Sequence, residues 1–397
     1  MRHDPTVLEQ VVQHVPWGVF DRLVAEHGAD AGVRGFDSRN HFLALLAAAL
    51  GGHHGLRPTV AALAPHRGAL RLMGGKPPAR STLSEAGARR PAALFMALFQ
   101  AMLPILAGRA QRQQMQEVIR LIDATQLDVG ARMQGWLGLH RGQTAAKLHV
   151  VYDPRAARPV YFDITPARLN DITWAQRALS IEAGATYVFD LGYYDFGWFA
   201  KLAAADCHFV TRLKVNTPLR EIEERKLPPA VTREGEGVVL ADRFGRLPAR
   251  LAASRRNPFD QRAREVVVRI TTGKILRLFT NDLTSPAETI AALYKERWQI
   301  ELFFKWIKQN LRISRFIGTS ENAVRAQIAV AMIAFLLLRF IHEQQKFAPP
   351  ASIFLLVIRC HLFTRRPCNE LLNPPPKVKP PPNPQLNLFI GKSYAGQ

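Results

Sequence analysis

Three cysteines in 397 residues (Cys207, Cys360 and Cys368) are too few and too scattered for a disulfide framework, so a reducing cytoplasm is the natural setting. Cys360-His361 with Cys368 lacks the Cys-x2-Cys pair and second cluster of a structural zinc site. Acid is scarce as well: 32 Asp and Glu stand against 53 Lys and Arg, a formal net charge of +21. That balance suits a polyanionic partner, either nucleic acid or an anionic membrane. The opening residues, MRHDPTVLEQVVQHV, have no apolar stretch of signal-peptide length. The longest apolar run, IAVAMIAFLLL at 328–338, stops at Arg339 and reads as a buried helix rather than a membrane span. With neither span nor signal, no membrane is expected and nucleic acid is the favoured polyanion. There is no glycine-rich phosphate loop, so no nucleotide cofactor is implied, and no internal repeat.

What is present is a large apolar fraction, 48%, and enough length for two or three domains. The basic excess is uneven. Residues 1–115 hold 13 Lys and Arg against 7 Asp and Glu, and residues 305–397 hold 13 against 3. Residues 1–115 read as a helical DNA-binding domain. NHFLALLAAALGG is an apolar helix stopped by Gly51 and Gly52. In GGKPPARSTLSEAGARRP, Thr82-x-x-Glu85 fits a capping box, which predicts a helix starting near Thr82. Ser84, Arg89 and Arg90 on that short helix, with Lys76 and Arg80 just before it in a Gly/Pro-rich turn, have the make-up of a helix-turn-helix reader. An ordinary bundle helix with a basic exposed face fits equally well.

At residue 116 the pattern changes. EVIRLIDATQLDV reads as a strand and AKLHVVYDPRAARPVYFDI as a hairpin. NDITWAQRALSIEAG reads as a helix capped by Asn170 or Asp171 and ended at Gly184, and TYVFDLGYYDFGWFAKLAAADCHFVTRLK as strand, loop, helix, strand. The order β-β-β-α-β-α-β over 116–214 is an α/β core. Residues 215–282 read as a β-rich insertion, 283–345 as a helical completion of the core, and 346–397 as a helix followed by a Pro-rich basic tail.

Three carboxylates stand out by position. Asp123 interrupts an apolar strand, Asp190 ends the strand TYVFD, and Glu301 sits in YKERWQIELFFKWIK. Strand-end acids in an α/β sheet point to the crevice where sites form. Structural readings stay open: Asp123 can bond a neighbouring strand and Asp190 can cap a turn. If the late segment is one unbroken helix, Tyr294, Arg297, Glu301 and Lys308 fall within an arc of about 60°, with Lys305 beside them. That stripe is either a solvated ion-pair face or a place where one acid and several cations act together. Two Asp and one Glu offer the hard oxygen ligands that suit Mg²⁺, with Mn²⁺ as a substitute, for phosphoryl transfer. Arg297 and Lys308 can then grip flanking phosphates. Trp198 and Trp298 read as core residues more readily than as stacking platforms.

Tyr294-x2-Arg297-x3-Glu301-x6-Lys308 resembles the signature of the insertion-sequence-four type of bacterial DDE transposases. IDATQLD and FDLGYYD resemble that family's two Asp motifs, with Leu191 where relatives often carry Arg. The resemblance implies an RNase H-like catalytic core with Asp123, Asp190 and Glu301 as metal-binding triad, interrupted by a β-rich insertion and preceded by an all-helical N-terminal domain. It implies DNA contacts from Tyr294, Arg297, Lys305 and Lys308, and cut-and-paste transposition through a hairpin intermediate. The partners it implies are double-stranded DNA, as terminal inverted repeats and target, and a second copy of the chain in the DNA complex. It places the protein in the bacterial cytoplasm, at the nucleoid. An inactive repeat-binding relative and a stand-alone RNase H-like nuclease are the alternatives.

Overall fold

The computed structural model of the chain describes residues 4–107, 117–130, 133–138, 144–227, 237–250, 256–311, 313, 315–344 and 349–372. The Pro-rich tail expected past residue 372 lies outside the described residues.

The first part is helical: α1 (Val7–Val12), α2 (Trp17–Glu26), α3 (Ser38–Gly51), α4 (Leu56–Leu63), α5 (Arg67–Leu72), α6 (Arg80–Arg89) and α7 (Ala92–Ile105). Local chemistry explains several boundaries. Thr6 and Glu9 form a reciprocal capping box at α1. Asp37 caps α3 through Asn40 N, and Gly52, with φ +70°, ends it in the left-handed conformation that glycine adopts without strain. The capping box expected at Thr82 is absent. Helix α6 starts two residues earlier, after Ala79, with no side-chain cap, so Thr82 lies within the first turn.

The second part holds β1 (Ile119–Asp128), the single turn α8 (Gln134–Leu137), β2 (Ala145–Asp153), β3 (Arg158–Pro166), α9 (Asp171–Ala178), β4 (Thr186–Phe189), α10 (Phe196–Ala204) and β5 (His208–Arg212). Helix α9 ends at Ala178, short of the stop expected at Gly184. Four more strands follow: β6 (Arg220–Glu224), β7 (Val238–Arg246), β8 (Arg262–Arg269) and β9 (Ile275–Thr280). All nine form one sheet in the order β3-β2-β1-β4-β5-β9-β8-β7-β6. Strands β1, β4 and β5 run parallel, joined through helices, while β1–β2, β2–β3 and β5–β9 pair antiparallel. The strands of 215–282 therefore extend the sheet beyond β5. The chain closes with α11 (Ala287–Glu296), α12 (Trp298–Asn310), α13 (Glu321–Gln344), α14 (Ala351–His361) and α15 (Cys368–Leu372).

Strand alternation sorts neighbouring residues onto opposite faces. Leu121, Leu148 and Val150 join a core with α7, α12 and α13, whereas Ile122, Val151 and Phe189 join a second core with Trp174 of α9 and Trp198 and Phe199 of α10. Helix α13 is the one described helix long and apolar enough to cross a membrane, and most of it is buried here. It packs against α3, α6, α7 and α14. The N-terminal helices thus have no core of their own. The helices end at Ile105 and the strands begin at Ile119, but one apolar cluster joins the two parts, because the apolar faces of α3 and α7 are covered by α13 from far along the chain. Phe99 of α7 meets Phe162 of β3 edge to face, ring centroids 5.0 Å apart. Helix α1 is also joined to residues 362–368. Val7 N donates to Thr364 O at 3.1 Å and Leu8 N to Leu362 O at 2.9 Å. Cys368 N donates to the Gln10 side chain at 2.8 Å.

Candidate active site

The parallel register of β1 and β4 sets Ile122 beside Phe189. One residue further along come Asp123, within β1, and Asp190, just past the end of β4, so the two acids lie side by side where β4 ends and β1 runs on. The buried residues before them anchor both strands. Asp123 lies on the Leu121 face, under α12, which brings Glu301 in its first turn. A carboxylate there is favoured by the helix N-terminus.

One guanidinium joins two of the three acids. Arg297 Nη1 lies 3.4 Å from Asp123 Oδ2, and Arg297 Nη2 lies 2.5 Å from Glu301 Oε1. Asp123 Oδ1 accepts from Ala124 N at 2.8 Å, and Asp190 Oδ1 accepts from Gly192 N at 2.8 Å. Burial pushes the Asp123 carboxyl up to about 7. The Ala124 N–H and Arg297 oppose that rise, while the negative Asp190 and Glu301 add to it. Burial alone would lower the Arg297 pKa, but Tyr294, Glu301 and Asp123 hold it above its ordinary value. Tyr193, fully buried behind the triad, is raised by burial and then by Asp171, Asp123 and Asp190. Its hydroxyl has no hydrogen-bond partner among the described residues.

Among the described residues no three His, Cys, Asp or Glu side chains are drawn together into a preformed metal site. The donor set nevertheless fits a hard divalent cation. Its donors are carboxylate oxygens, one of them buried and crowded by two like charges, with a single arginine for compensation. Asp123, Asp190 and Glu301 are the residues that would hold it.

Several expected residues sit otherwise than the sequence suggested. The stripe is not on one unbroken helix: α11 ends at Glu296 and α12 begins at Trp298. Arg297 N donates to Tyr294 O and Ile300 N to Arg297 O, both at 3.2 Å. These i→i+3 bonds tighten the turn and interrupt the regular ladder at Arg297. Arg297, expected to face phosphate, is turned to the carboxylates. Tyr294 is buried, its ring centroid 5.7 Å from the Arg297 guanidinium carbon. Lys305 is exposed, and Lys308 is half-buried, its pKa lowered by desolvation and partly restored by Asp128. Trp298, expected in the core, is 60% exposed, while Trp198 is buried.

On α6, Arg80, Ser84 and Arg89 face outward, with Arg89 paired to Glu85 at 2.8 Å. Arg90 does not belong with them. It is 4% exposed, donates to Phe36 O at 2.7 Å and faces Asp30 at 3.4 Å, because the helix ends there and the chain turns it inward. Other acids of this region have structural partners: Asp153 accepts from the turn amides of Arg155 and Ala156, Asp163 from Trp174, and Asp195 caps α10. Asp171 was expected only as a helix cap, and Tyr193 only as part of the motif FDLGYYD. An acid at a helix start reads as a cap, and a Tyr inside a motif reads as packing.

Residues 114–337 match the family model described as transposase DDE domain, and residues 3–76 match a domain of unknown function, DUF4372. A protein of Sinorhizobium fredii named as transposase y4zB is 41% identical over 285 residues, 71% of this chain and 78% of that one. A protein of Geobacillus stearothermophilus named as transposase for insertion sequence element IS5377 is 29% identical over 260 residues, 63% of this chain and 64% of that one. Among solved structures, a piggyBac transposase in a synaptic complex with hairpin DNA aligns at a TM-score of 0.45 and 8% identity, over 94% of this chain and 83% of that one.

Proposed function

The chain belongs to the transposase DDE-domain family, and from that we propose that it moves its own insertion sequence by cutting DNA at the element's ends and joining them to a target, with Asp123, Asp190 and Glu301 at the reacting phosphate. The observation that carries this reading is the convergence of β1, β4 and α12 on one carboxylate cluster bridged by Arg297. The strand order β3-β2-β1-β4-β5, with its antiparallel and parallel pairings, supports an RNase H-like core, with β6–β9 as the insertion. The Tyr294, Arg297, Glu301 and Lys308 spacing supports the insertion-sequence-four type.

The three carboxylates would hold Mg²⁺, or Mn²⁺ in its place. When bound, a divalent cation supplies Lewis-acid polarisation of the phosphodiester and a more acidic nucleophile. The protein's own residues do the rest. Arg297 orients Asp123 and Glu301 with its planar fork. Tyr294 supports Arg297 from the buried side. Lys305 and Lys308, further along α12, hold DNA phosphates as point charges. Arg80, Ser84 and Arg89 on α6 contact the terminal repeats. Double-stranded DNA is the substrate, two copies of the chain assemble on it, and the work is done in the cytoplasm.

The test is an excision assay on a plasmid carrying the element's ends, read together with binding to the same end DNA. Asp123→Ala, Asp190→Ala and Glu301→Ala are each expected to lose cleavage and keep binding. Near-normal cleavage by any one of them would remove that residue from the site. Failure of the wild-type chain to excise or nick end DNA in Mg²⁺ would remove the reading itself.

A further inference from the structure

Gly192 stands where the 3-10 turn Leu191–Tyr193 leaves β4. A Cβ placed on it would lie 2.9 Å from Asp190 Oδ1 and 3.1 Å from Asp171 Oδ2. Glycine is therefore what leaves open the space between two carboxylates from different elements. Asp171 opens α9, yet neither it nor Asn170 makes a side-chain capping bond there. Instead its Oδ1 is held by Lys147 Nζ of β2 at 2.9 Å, with His149 Nδ1 at 3.9 Å. One oxygen is thus anchored from β2 and the other is turned toward Asp190.

A second observation points to the same space. The Tyr193 hydroxyl is fully buried, has no partner among the described residues, and has Asp171, Asp123 and Asp190 as its charged neighbours. A buried hydroxyl left unsatisfied costs about 1–3 kcal/mol, so it marks a place where a ligand atom or a water is to be bound. His149 repeats the pattern. It is completely buried, its Nε2 pairs with Thr165 Oγ1 at 2.9 Å, and its Nδ1 is left toward Asp171.

We propose that Asp171 is a fourth carboxylate of the divalent-cation site, reaching across Gly192 to stand beside Asp190, with Lys147 balancing its charge in the metal-free chain. The inference rests on the reading of Asp190 as a cation ligand. It assigns Gly192 a reason to be glycine, and it extends the site from β1, β4 and α12 to the start of α9. Asp171 acts by holding the cation, so its loss is a loss of cation affinity first and of DNA cleavage second.

Mn²⁺ binding to the full chain without DNA, followed by the paramagnetic signal of free Mn²⁺, gives a readout independent of cleavage. Asp171→Asn should weaken Mn²⁺ binding by about tenfold to a hundredfold, the scale found for supporting groups at metal sites. Asp171→Ser, whose hydroxyl suits a helix start, is the second neutral variant should the first fail to fold. Lys147→Met breaks the same ion pair but keeps the carboxylate, and should bind Mn²⁺ at least as tightly as wild type. Binding by the Asp171 variants within twofold of wild type, while Asp190→Ala abolishes it, would overturn this inference alone. Equal weakening by Lys147→Met and Asp171→Asn would also overturn it, since the ion pair would then be only structural. No Mn²⁺ binding by the wild-type chain would overturn it together with the reading of Asp190. Weakened binding by Asp171→Asn in a chain that never cuts DNA would sustain it while the transposition reading fell.

Discussion

At the β7–β9 end of the sheet, Asp242 meets Arg264 through two hydrogen bonds of 2.7 and 2.9 Å, and Arg264 donates onward to Ser285 O at 2.6 Å. Glu265 pairs with Arg277 and Asp282 accepts from the amides of Thr284 and Ser285. At the β1–β4 end, Asp123 has both Asp190 and Glu301 as negative neighbours, and Arg297 binds only two of the three. Burial alone would raise Asp282, but hydrogen bonds from Ser285 and Thr284 hold it at about 2, whereas Asp123 is pushed to about 7. The same residue type, within one end of the sheet and just past the other, thus stands at opposite ends of its range. Where every acid has its donors, the acid is part of the frame. Where acids repel and donors run short, the arrangement is costly to the fold and is kept for what it binds.

The widest separation between the two ends should appear in activity. Asp190→Ala should lower DNA cleavage by roughly a thousandfold or more, several kcal/mol of transition-state stabilisation, with little change in the urea midpoint. Asp242→Ala should do the reverse. It strands a buried Arg264 and should cost about 3–5 kcal/mol in urea unfolding. Equal loss of stability in both variants would erase the distinction.

Acid should separate them next. A carboxylate whose folded pKa is depressed stabilises the fold above its unfolded pKa, and that stability is lost as pH falls through the folded value. For Asp282 the window runs from about 4 down to about 2, and the contribution is about 2 kcal/mol. Asp282→Asn should flatten the stability profile in that window, read by urea unfolding at several pH values; an unchanged profile would show that the bonds from Ser285 and Thr284 do not favour the charged form.

Smaller effects sharpen the comparison. Asp123→Asn removes a buried charge that faces two others, so the metal-free chain should become about 1 kcal/mol more stable at neutral pH while losing cleavage. A destabilised Asn variant would place Asp123 with the structural acids. The smallest effect is on the surface: Arg89→Ala breaks an exposed pair worth at most about 0.5 kcal/mol, yet should lower the salt slope of end-DNA binding by about one if Arg89 meets a phosphate. A salt slope equal to wild type would return α6 to an ordinary surface helix.

Much of the frame was legible in the residues. The step from Leu121 and Ile122 to Asp123 announced an acid within an apolar strand, and TYVFD announced one at a strand end. The order of strands and helices through β5 follows from hydrophobic period and turn residues. Pairing between distant segments does not, so nothing in 215–282 told that β9 returns beside β5. The break at Arg297 has no Gly or Pro to mark it. Arg90 looks like its neighbour Arg89 in sequence and differs only in which way the helix end points it. Asp171 could not be told from a helix cap until Gly192 was seen to bring it to Asp190.

The union of α1 with residues 362–368 has a consequence in time. The Gln10 side chain donates to Arg366 O at 2.7 Å, across 356 positions of sequence. A ribosome delivers the two partners tens of seconds apart at roughly 5–20 residues per second. Until then α1 has no Leu362 or Thr364 to bind. A copy of the gene cut short by a stop codon before residue 362 would make a chain with the whole acidic cluster and no clasp. Such a fragment would leave apolar α1 and α13 surface uncovered, prey to proteases before it reached DNA.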